Sequence, residues 1–392
     1  MIKIKDDIYF VGALNPNLRV FDIIMRTDYG TTYNAYLIRG EKTALIETVH
    51  DSYKGVMLDN IKEICEPSEI DYIVMNHTEP DHSGSIAEIV ALNPNVTVVA
   101  SPAGIKNIGA IANTAFKSRT VKTGDKLDLG KGLELEFIIS PNLHWPDSMF
   151  TYLASRKTAF TCDFLGSHYC EPLILDKNIT HEKAYESAFR YYYNAIFGPF
   201  KKFVLDGLDR LEKLDFDTAC VSHGPVLQSR LDAARKLYRE WSQPHASVKS
   251  TAIFYVSAYG YTKSLAEAFE KELNALGVSA KAYNVIETEQ AELAAAIENS
   301  SSYMFGSPTI NRDALKPVWD IISSIDAVNN KGKQCFVFGS YGWSGEACAA
   351  LDARLRSFGM KLEQEPLKVV FKPDEGDFKK VKEISEAFAE KA

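Results

Sequence analysis

Residues 77–82 read His77-Thr78-Glu79-Pro80-Asp81-His82, and four of these six side chains are of types that bind metals. They follow the apolar run Tyr72-Ile73-Val74-Met75 and precede Ser83-Gly84-Ser85, where a helical pattern opens. A strand that stops and delivers ligands into a loop before a helix is a favourable place for a metal. Four ligands so close together crowd a single ion, so the stretch reads as part of a two-metal site. A polar loop with two surface histidines is the bland alternative. It accounts for polarity but not for this density of ligands.

Working outward, the same pattern of strand end followed by ligand recurs. His144 lies in Ser140-Pro141-Asn142-Leu143-His144-Trp145-Pro146-Asp147, after an apolar run at 135–139. Asp163 ends the run Thr158-Ala159-Phe160-Thr161-Cys162-Asp163, and His223 lies in Val221-Ser222-His223-Gly224-Pro225. Each alone reads as a loop or capping residue. Together they are what several strands delivering side chains to one rim would produce.

At 392 residues the chain is long enough for two domains, taking roughly 150 residues for each. Its 46% hydrophobic content supplies substantial cores, and its net charge of −8 argues against a nucleic-acid partner. The N-terminus has no signal-peptide apolar region, and no run approaches the ~18 apolar residues of a membrane span. Cysteines 65, 162, 170, 220, 335 and 348 are scattered without a Cys-x-x-Cys pair, which excludes a zinc ribbon or a disulfide framework. A cytoplasmic protein is the expectation.

A boundary is expected near residue 248, dividing the chain into 1–248 and 249–392. Beyond it, strands near 251, 280, 303, 334 and 367 alternate with helices, which predicts an open, doubly wound parallel sheet. Ligands of such sheets bind beyond the carboxyl ends of the strands. Three loops there are distinctive. Ser257-Ala258-Tyr259-Gly260-Tyr261-Thr262 leads into a helix, where hydroxyls and backbone N–H groups cradle a phosphate. Ser307-Pro308-Thr309-Ile310-Asn311 and Ser340-Tyr341-Gly342-Trp343-Ser344-Gly345 follow the third and fourth strands. Glycines allow close backbone approach, and Tyr341 or Trp343 can stack on a planar ring. The three loops suit a mononucleotide with a flat head group, and the pattern is flavodoxin-like with FMN. The absence of Gly-x-Gly-x-x-Gly argues against Rossmann-type binding of NAD or FAD.

The N-terminal region is different. Strand-like runs fall at 8–14, 31–39, 42–48, 70–76, 96–101, 133–140, 149–154 and 158–162, some joined by hairpin-like turns at Gly40 and Gly130. A helical stretch at 182–214 precedes the last strand, 217–221. A two-sheet sandwich covered by helices accommodates these elements.

This region resembles the metallo-β-lactamase fold, whose usual motif is His-x-His-x-Asp-His; Glu79 replaces the second His. That replacement, the later ligands His144, Asp163 and His223, and the flavodoxin-like tail together resemble the flavodiiron proteins (A-type flavoproteins) over essentially the whole chain. The resemblance implies a metallo-β-lactamase-like αββα sandwich followed by a flavodoxin-like sheet. It implies two Fe ions, one held by His77, Glu79 and His144, the other by Asp81, His82 and His223, with Asp163 bridging. His77 is the ligand it leaves most open.

The chemistry points the same way. Exchanging an imidazole for a carboxylate makes the site harder and more anionic, which suits iron or manganese better than zinc. Two ions about 3.5–4 Å apart hold both ends of a small substrate. The resemblance implies electron flow from FMN to the di-iron centre, with reduction of O2 to water, of NO to N2O, or of both. FMN and two ferrous ions together store the four electrons that O2 requires. It also implies a head-to-tail homodimer, with a dimer of such dimers compatible, and a separate electron donor, rubredoxin or the reduced deazaflavin F420. His168 and Tyr192 are candidates to assist beside the metals. A metal-dependent hydrolase with an accessory flavodoxin domain is the alternative function, and a plain electron carrier is a third. Glu79 and the complete ligand set argue against both.

Overall fold

The structure, a computed structural model, describes residues 1–243 and 249–392. The chain forms two compact units, Met1–Gln243 and Pro244–Ala392. The boundary expected near residue 248 falls at the edge of 244–248, outside the described residues.

The first unit is built on two sheets. One has seven strands in the order Ile2–Lys5, Ile8–Phe10, Tyr36–Arg39, Thr43–Ile46, Ile70–Met75, Thr97–Ala100 and Lys117–Thr120. The other has five, Lys126–Asp128, Glu134–Ile139, Met149–Leu153, Thr158–Cys162 and Thr218–Val221, in sequence order. Ile8, Phe10, Tyr36, Ile38 and Val74 of the first meet Leu135, Phe137, Met149 and Phe160 of the second in one apolar core. The outer face of the first sheet packs on helices Lys54–Lys62, Ile86–Leu92 and Pro102–Ala112. Helices Glu182–Tyr192, Lys201–Leu211 and Leu231–Ser242 cover the outer face of the second. The four layers follow from strands whose two faces are both apolar and must both be covered.

Several expected runs divide. Residues 8–14 form two strands, Ile8–Phe10 and Ala13–Asn15, and 31–39 form Thr31–Tyr33 and Tyr36–Arg39. Gly12 stands at the division, where a Cβ would lie 2.1 Å from the carbonyl oxygen of Tyr33. The pieces Ala13–Asn15 and Thr31–Tyr33 leave the sheet and pair with each other as a separate antiparallel ribbon. That ribbon is what brings Thr31 and Thr32 to the metal-site residues described below. The helical stretch expected at 182–214 is also broken. It runs Glu182–Tyr192, passes through a wide π-type turn at Tyr193–Phe197 and a tight turn at Gly198–Phe200, and resumes at Lys201–Leu211. Pro199 has no N–H to continue the ladder and its ring crowds the preceding turn. Ile2–Lys5, the hairpin Val20–Phe21/Met25–Arg26, and the edge strands Lys117–Thr120 and Lys126–Asp128 are absent from the sequence reading. Lys117–Thr120 is exposed throughout, so it lacks the alternation that marks a half-buried strand.

The second unit is a five-stranded parallel sheet in the order Ser279–Asn284, Ser250–Tyr255, Ser302–Gly306, Gln334–Tyr341 and Leu367–Val370. Separate apolar cores cover its two faces. The order of strands reverses between the first and third strands, which is where an open sheet of this kind forms its ligand crevice. No helix among the described residues is long and apolar enough to cross a membrane.

Gly339 ties two of the three expected cofactor loops together, because a Cβ there would lie 2.2 Å from the carbonyl oxygen of Ser307. Gly339→Ala should therefore cost about 1–3 kcal/mol. Thermal unfolding should show the second unit melting earlier, and flavin uptake should weaken while metal uptake stays at the wild-type level.

Candidate metal centre and flavin loops

The strand Ile70–Met75 ends two residues before His77, and Pro80 then starts a short helical turn, Pro80–Ser83, that carries Asp81 and His82. Proline suits the first turn because its missing N–H has no partner there anyway. The hydroxyl and the N–H of Thr48 both donate to the carbonyl of His82, anchoring the turn to the neighbouring strand. The strand end at Val221 is pinned from the other sheet: Tyr36 Oη and Asn34 Nδ2 both donate to its carbonyl, at 2.5 and 2.7 Å. His223 follows two residues later.

These tethers bring all seven candidate ligands together. His77 Nε2 and His144 Nε2 each lie 3.2 Å from Glu79 Oε2, and 3.7 and 3.5 Å from Asp163 Oδ2. On the other side, His82 Nε2 lies 3.3 Å and His223 Nε2 lies 2.9 Å from Asp81 Oδ2. The same two nitrogens lie 3.3 and 3.5 Å from Asp163 Oδ1. One oxygen of Asp163 thus faces each group. The distances divide the side chains as the motif does, with His77 turned inward.

The site is buried, and its electrostatics are those of a cage for cations. Asp81 Oδ1 and Oδ2 and Asp163 Oδ2 make no hydrogen bond despite being shut off from water. Buried carboxylate oxygens without partners are costly, and imidazole nitrogens aimed at them complete a set of N and O donors without thiolate. Burial works against the ionised form of Asp163, but the His82, His144 and His77 rings outweigh it and hold its carboxyl well below the usual range. Burial likewise opposes protonation of His77, yet hydrogen bonds to Asp147 and Glu79 raise its pKa to about 10. His82 and His144 are raised against the same opposition by the carboxylates around them.

Both further candidates lie at the site. Tyr192 Oη donates to Asp163 Oδ1 at 3.2 Å, whereas Tyr193 bonds Ser242 in the core and Tyr191 is half exposed. His168 Nδ1 lies 2.8 Å from Thr31 Oγ1, and its Nε2 has no partner. Burial, with the neighbouring His223, holds His168 well below the ordinary imidazole pKa. Phe21, Asp22, His168, Tyr192 and Ile196 join the ligand groups around a cavity of about 20 Å³. Asp22 is pushed up to about 6 by burial and by the charges of Glu79 and Asp81.

The sequence reading misses several residues here. Asp147 accepts from His77 Nδ1 at 3.1 Å and from the Thr78 hydroxyl at 2.7 Å. The carbonyl of Thr32 lies 2.6 Å from His223 Nδ1. Glu47 is buried beside His82 and Cys162, and burial raises its pKa to about 8. Asp147 stands three residues after His144, a proximity that was available as a signal. Glu47 closes an apolar run and Thr32 acts through its backbone carbonyl, and neither carries such a signal.

In the second unit, Gly260 (φ +81°) starts the helix Tyr261–Ala275 just after Ser257, Ala258 and Tyr259. Ser257 Oγ is buried without a partner, which fits a phosphate acceptor. Thr262 is buried and its hydroxyl bonds that of Ser340 at 2.9 Å, joining the first loop to the third. Thr309 N donates to Ser340 O at 2.9 Å, joining the second loop to the third. The hydroxyl of Ser307 is spent on Pro308 O and Leu315 N. Ile310 and Asp313 close a tight turn through Asn311. Gly342 leaves room for the ring of Phe371, 2.4 Å from where a Cβ would be, and Gly345 (φ +76°) packs on the Tyr341 ring. Ser344 bonds Glu346, and the rings of Tyr259 and Trp343 stand in solvent at 84% and 85% exposure.

Comparison with known proteins agrees with this layout. A family model described as ODP family beta lactamase matches residues 31–224, and a flavodoxin model matches 253–384. The flavo-diiron protein FprA2 of Clostridium acetobutylicum is 47% identical over 99% of this chain and 98% of its own length. The chain belongs to the flavodiiron protein family. Another relative, the type A flavoprotein fprA of Rhodobacter capsulatus, is 36% identical over 95% of this chain and 87% of its own. Among solved structures, the rubredoxin oxygen:oxidoreductase of Desulfovibrio gigas matches with a TM-score of 0.70 and 29% identity, covering 99% of this chain and 97% of its own. The flavodiiron protein of Giardia intestinalis matches with a TM-score of 0.68 and 25% identity, covering 100% and 96%. The flavodiiron chain is therefore a metallo-β-lactamase-like unit with a His/Asp metal-binding cluster, followed by a flavodoxin-like unit.

Metal uptake by the metal-free flavodiiron chain must displace protons from these histidines, because only the neutral ring binds. With His77 at about 10, affinity should rise with pH through the neutral range. Calorimetry of Fe(II) binding in buffers of different ionisation enthalpy should record proton release.

Proposed function

We propose that the protein is an oxidoreductase that uses FMN and a pair of iron ions to reduce O2 to water, NO to N2O, or both. The observation that carries the reading is Asp163, whose two oxygens face two separate His/carboxylate groups. When bound, the flavin would supply stepwise electron delivery and the two irons would supply redox-active binding of a diatomic molecule. His77, Glu79 and His144 would hold one ion, Asp81, His82 and His223 the other, and Asp163 both. FMN would sit at the loops around Ser257, Thr309 and Trp343.

The chain's own side chains fit that task. The cavity lined by the ligand groups is small, about 20 Å³, which suits a small guest. Tyr192 holds one oxygen of Asp163 in place and presents its hydroxyl at the cavity wall. Phe21, Ile196 and the edge-to-face rings of His168 and Tyr192 line the cavity and limit access of water, and a neutral His168 can hydrogen-bond a guest without adding charge. A hydrolase would leave the flavodoxin-like unit without a part.

The Desulfovibrio gigas structure bears the name rubredoxin oxygen:oxidoreductase, and rubredoxin is accordingly proposed as a separate donor here, with reduced deazaflavin F420 as the other candidate. The purified chain should hold about two irons and one FMN. Its anaerobically reduced form should be oxidised rapidly by O2 or NO in stopped flow, and Asp163→Ala should lose this oxidation while keeping the flavin. Full activity with stoichiometric zinc, or normal turnover in Asp163→Ala, would overturn the reading.

The working assembly is proposed as a head-to-tail homodimer in a cytoplasmic setting, with the flavin of one protomer serving the metals of its partner. A variant without metals (Asp81→Ala with Asp163→Ala) and one without flavin (Ser257→Asp with Thr262→Asp) should each be inactive. In mixed dimers confirmed by mass spectrometry, one of the two sites is complete, so activity should return to about a quarter of wild type per chain under random pairing. Confirmed mixed dimers without activity would refute transfer between protomers.

A further inference from the structure

The two halves of the metal centre are backed by different chemistry. His77 is fully buried, with Nε2 turned toward Glu79 and Asp163. Its other ring nitrogen, Nδ1, lies 3.1 Å from Asp147 Oδ2. The same oxygen accepts the Thr78 hydroxyl at 2.7 Å, and Thr78 Oγ1 in turn accepts from Asn107 Nδ2 at 3.0 Å. The Ser101 hydroxyl holds the Asp147 backbone carbonyl at 2.8 Å. Asp147 is itself buried, and its second oxygen has no partner. Trp145 stands perpendicular to the His77 ring at 5.1 Å, so the ring has little freedom to turn. Across the centre, His223 Nδ1 meets the backbone carbonyl of Thr32, and His82 stands beside the buried Glu47.

An ionised carboxylate can only accept a hydrogen bond. Asp147 therefore places the proton of a neutral His77 on Nδ1 and leaves the Nε2 lone pair facing inward. A carboxylate behind a ligating histidine also raises the basicity of its ring more than an amide carbonyl does. We propose that Asp147 is a positioning residue that locks His77 as an Nε2 donor. It thereby raises the electron density that His77 offers to an ion held with Glu79 and His144. This rests on the two-metal reading above. It implies that an iron in this half keeps its ferric state more strongly than it would without the Asp147 charge.

The test uses the full-length protein loaded anaerobically with ⁵⁷Fe(II), in wild type, Asp147→Asn and Asp147→Ala. Asparagine keeps the shape and an acceptor oxygen but removes the charge. It should retain two irons, alter one of two Mössbauer signals and raise the potential of one of two one-electron steps, followed by EPR of the mixed-valent state. Alanine should weaken iron binding in one half by about 10–100-fold, the usual loss when such a partner is removed, and leave the other half intact. Unaltered spectra and potentials in both variants would overturn the proposal while leaving the two-metal reading in place. So would equal loss of both irons together with a lower melting point of the metal-free form, since that is the behaviour of a merely structural residue. A wild type that takes up fewer than two irons would overturn the two-metal reading and this proposal with it.

Discussion

The centre of the molecule depends on one carboxylate presenting its two oxygens in opposite directions. Asp163 Oδ2 faces His77 and His144, and Oδ1 faces His82 and His223. Glu79 and Asp81 stand beside the same histidines, so several charged or chargeable groups crowd into a largely buried space. Such a group is stable only when opposite charges or metal ions balance it. Much of the first unit reads as the means of holding that arrangement. Four strand ends deliver the ligands, Asn34 and Tyr36 pin the strand before His223, and Thr48 anchors the turn that carries His82.

The second unit solves a simpler problem. Its parallel strands end in three loops that are knitted together by Thr262 to Ser340 and by Thr309 to Ser340. The hydroxyl of Thr262, in the loop expected to cradle a phosphate, is spent on this knitting, and that of Ser307, in a flanking loop, on Pro308 and Leu315. Ser257 Oγ remains unpartnered. Two aromatic rings, Tyr259 and Trp343, project outward where a planar ligand would be reached. Preorganisation of this kind lowers the entropy lost when a ligand binds.

Much of this is legible in the sequence alone. The ligand-dense loop at 77–82, the recurrence of strand end followed by ligand, and the change to strand–helix alternation are all local patterns. Local patterns report local structure well, because backbone preference and side-chain period act over a few residues. The reading failed where long-range packing overrode them. The runs 8–14 and 31–39 look like single strands, yet each divides to form the ribbon that carries Thr31 and Thr32 to the histidines. The stretch 182–214 looks like one helix, yet its break sets Tyr192 on Asp163 and leaves Tyr193 in the core.

The sequence by itself determined the types of ligand, their order along the chain and the presence of two differently built halves. Those follow from residue chemistry and from periodicity, which every short window of the chain carries. Only the tertiary structure decided which oxygen of Asp163 faces which histidines, that His77 turns inward, and that Asp147 stands behind it. These are contacts between residues tens of positions apart. Their geometry depends on how two sheets pack, and packing is a property of the whole core rather than of any segment.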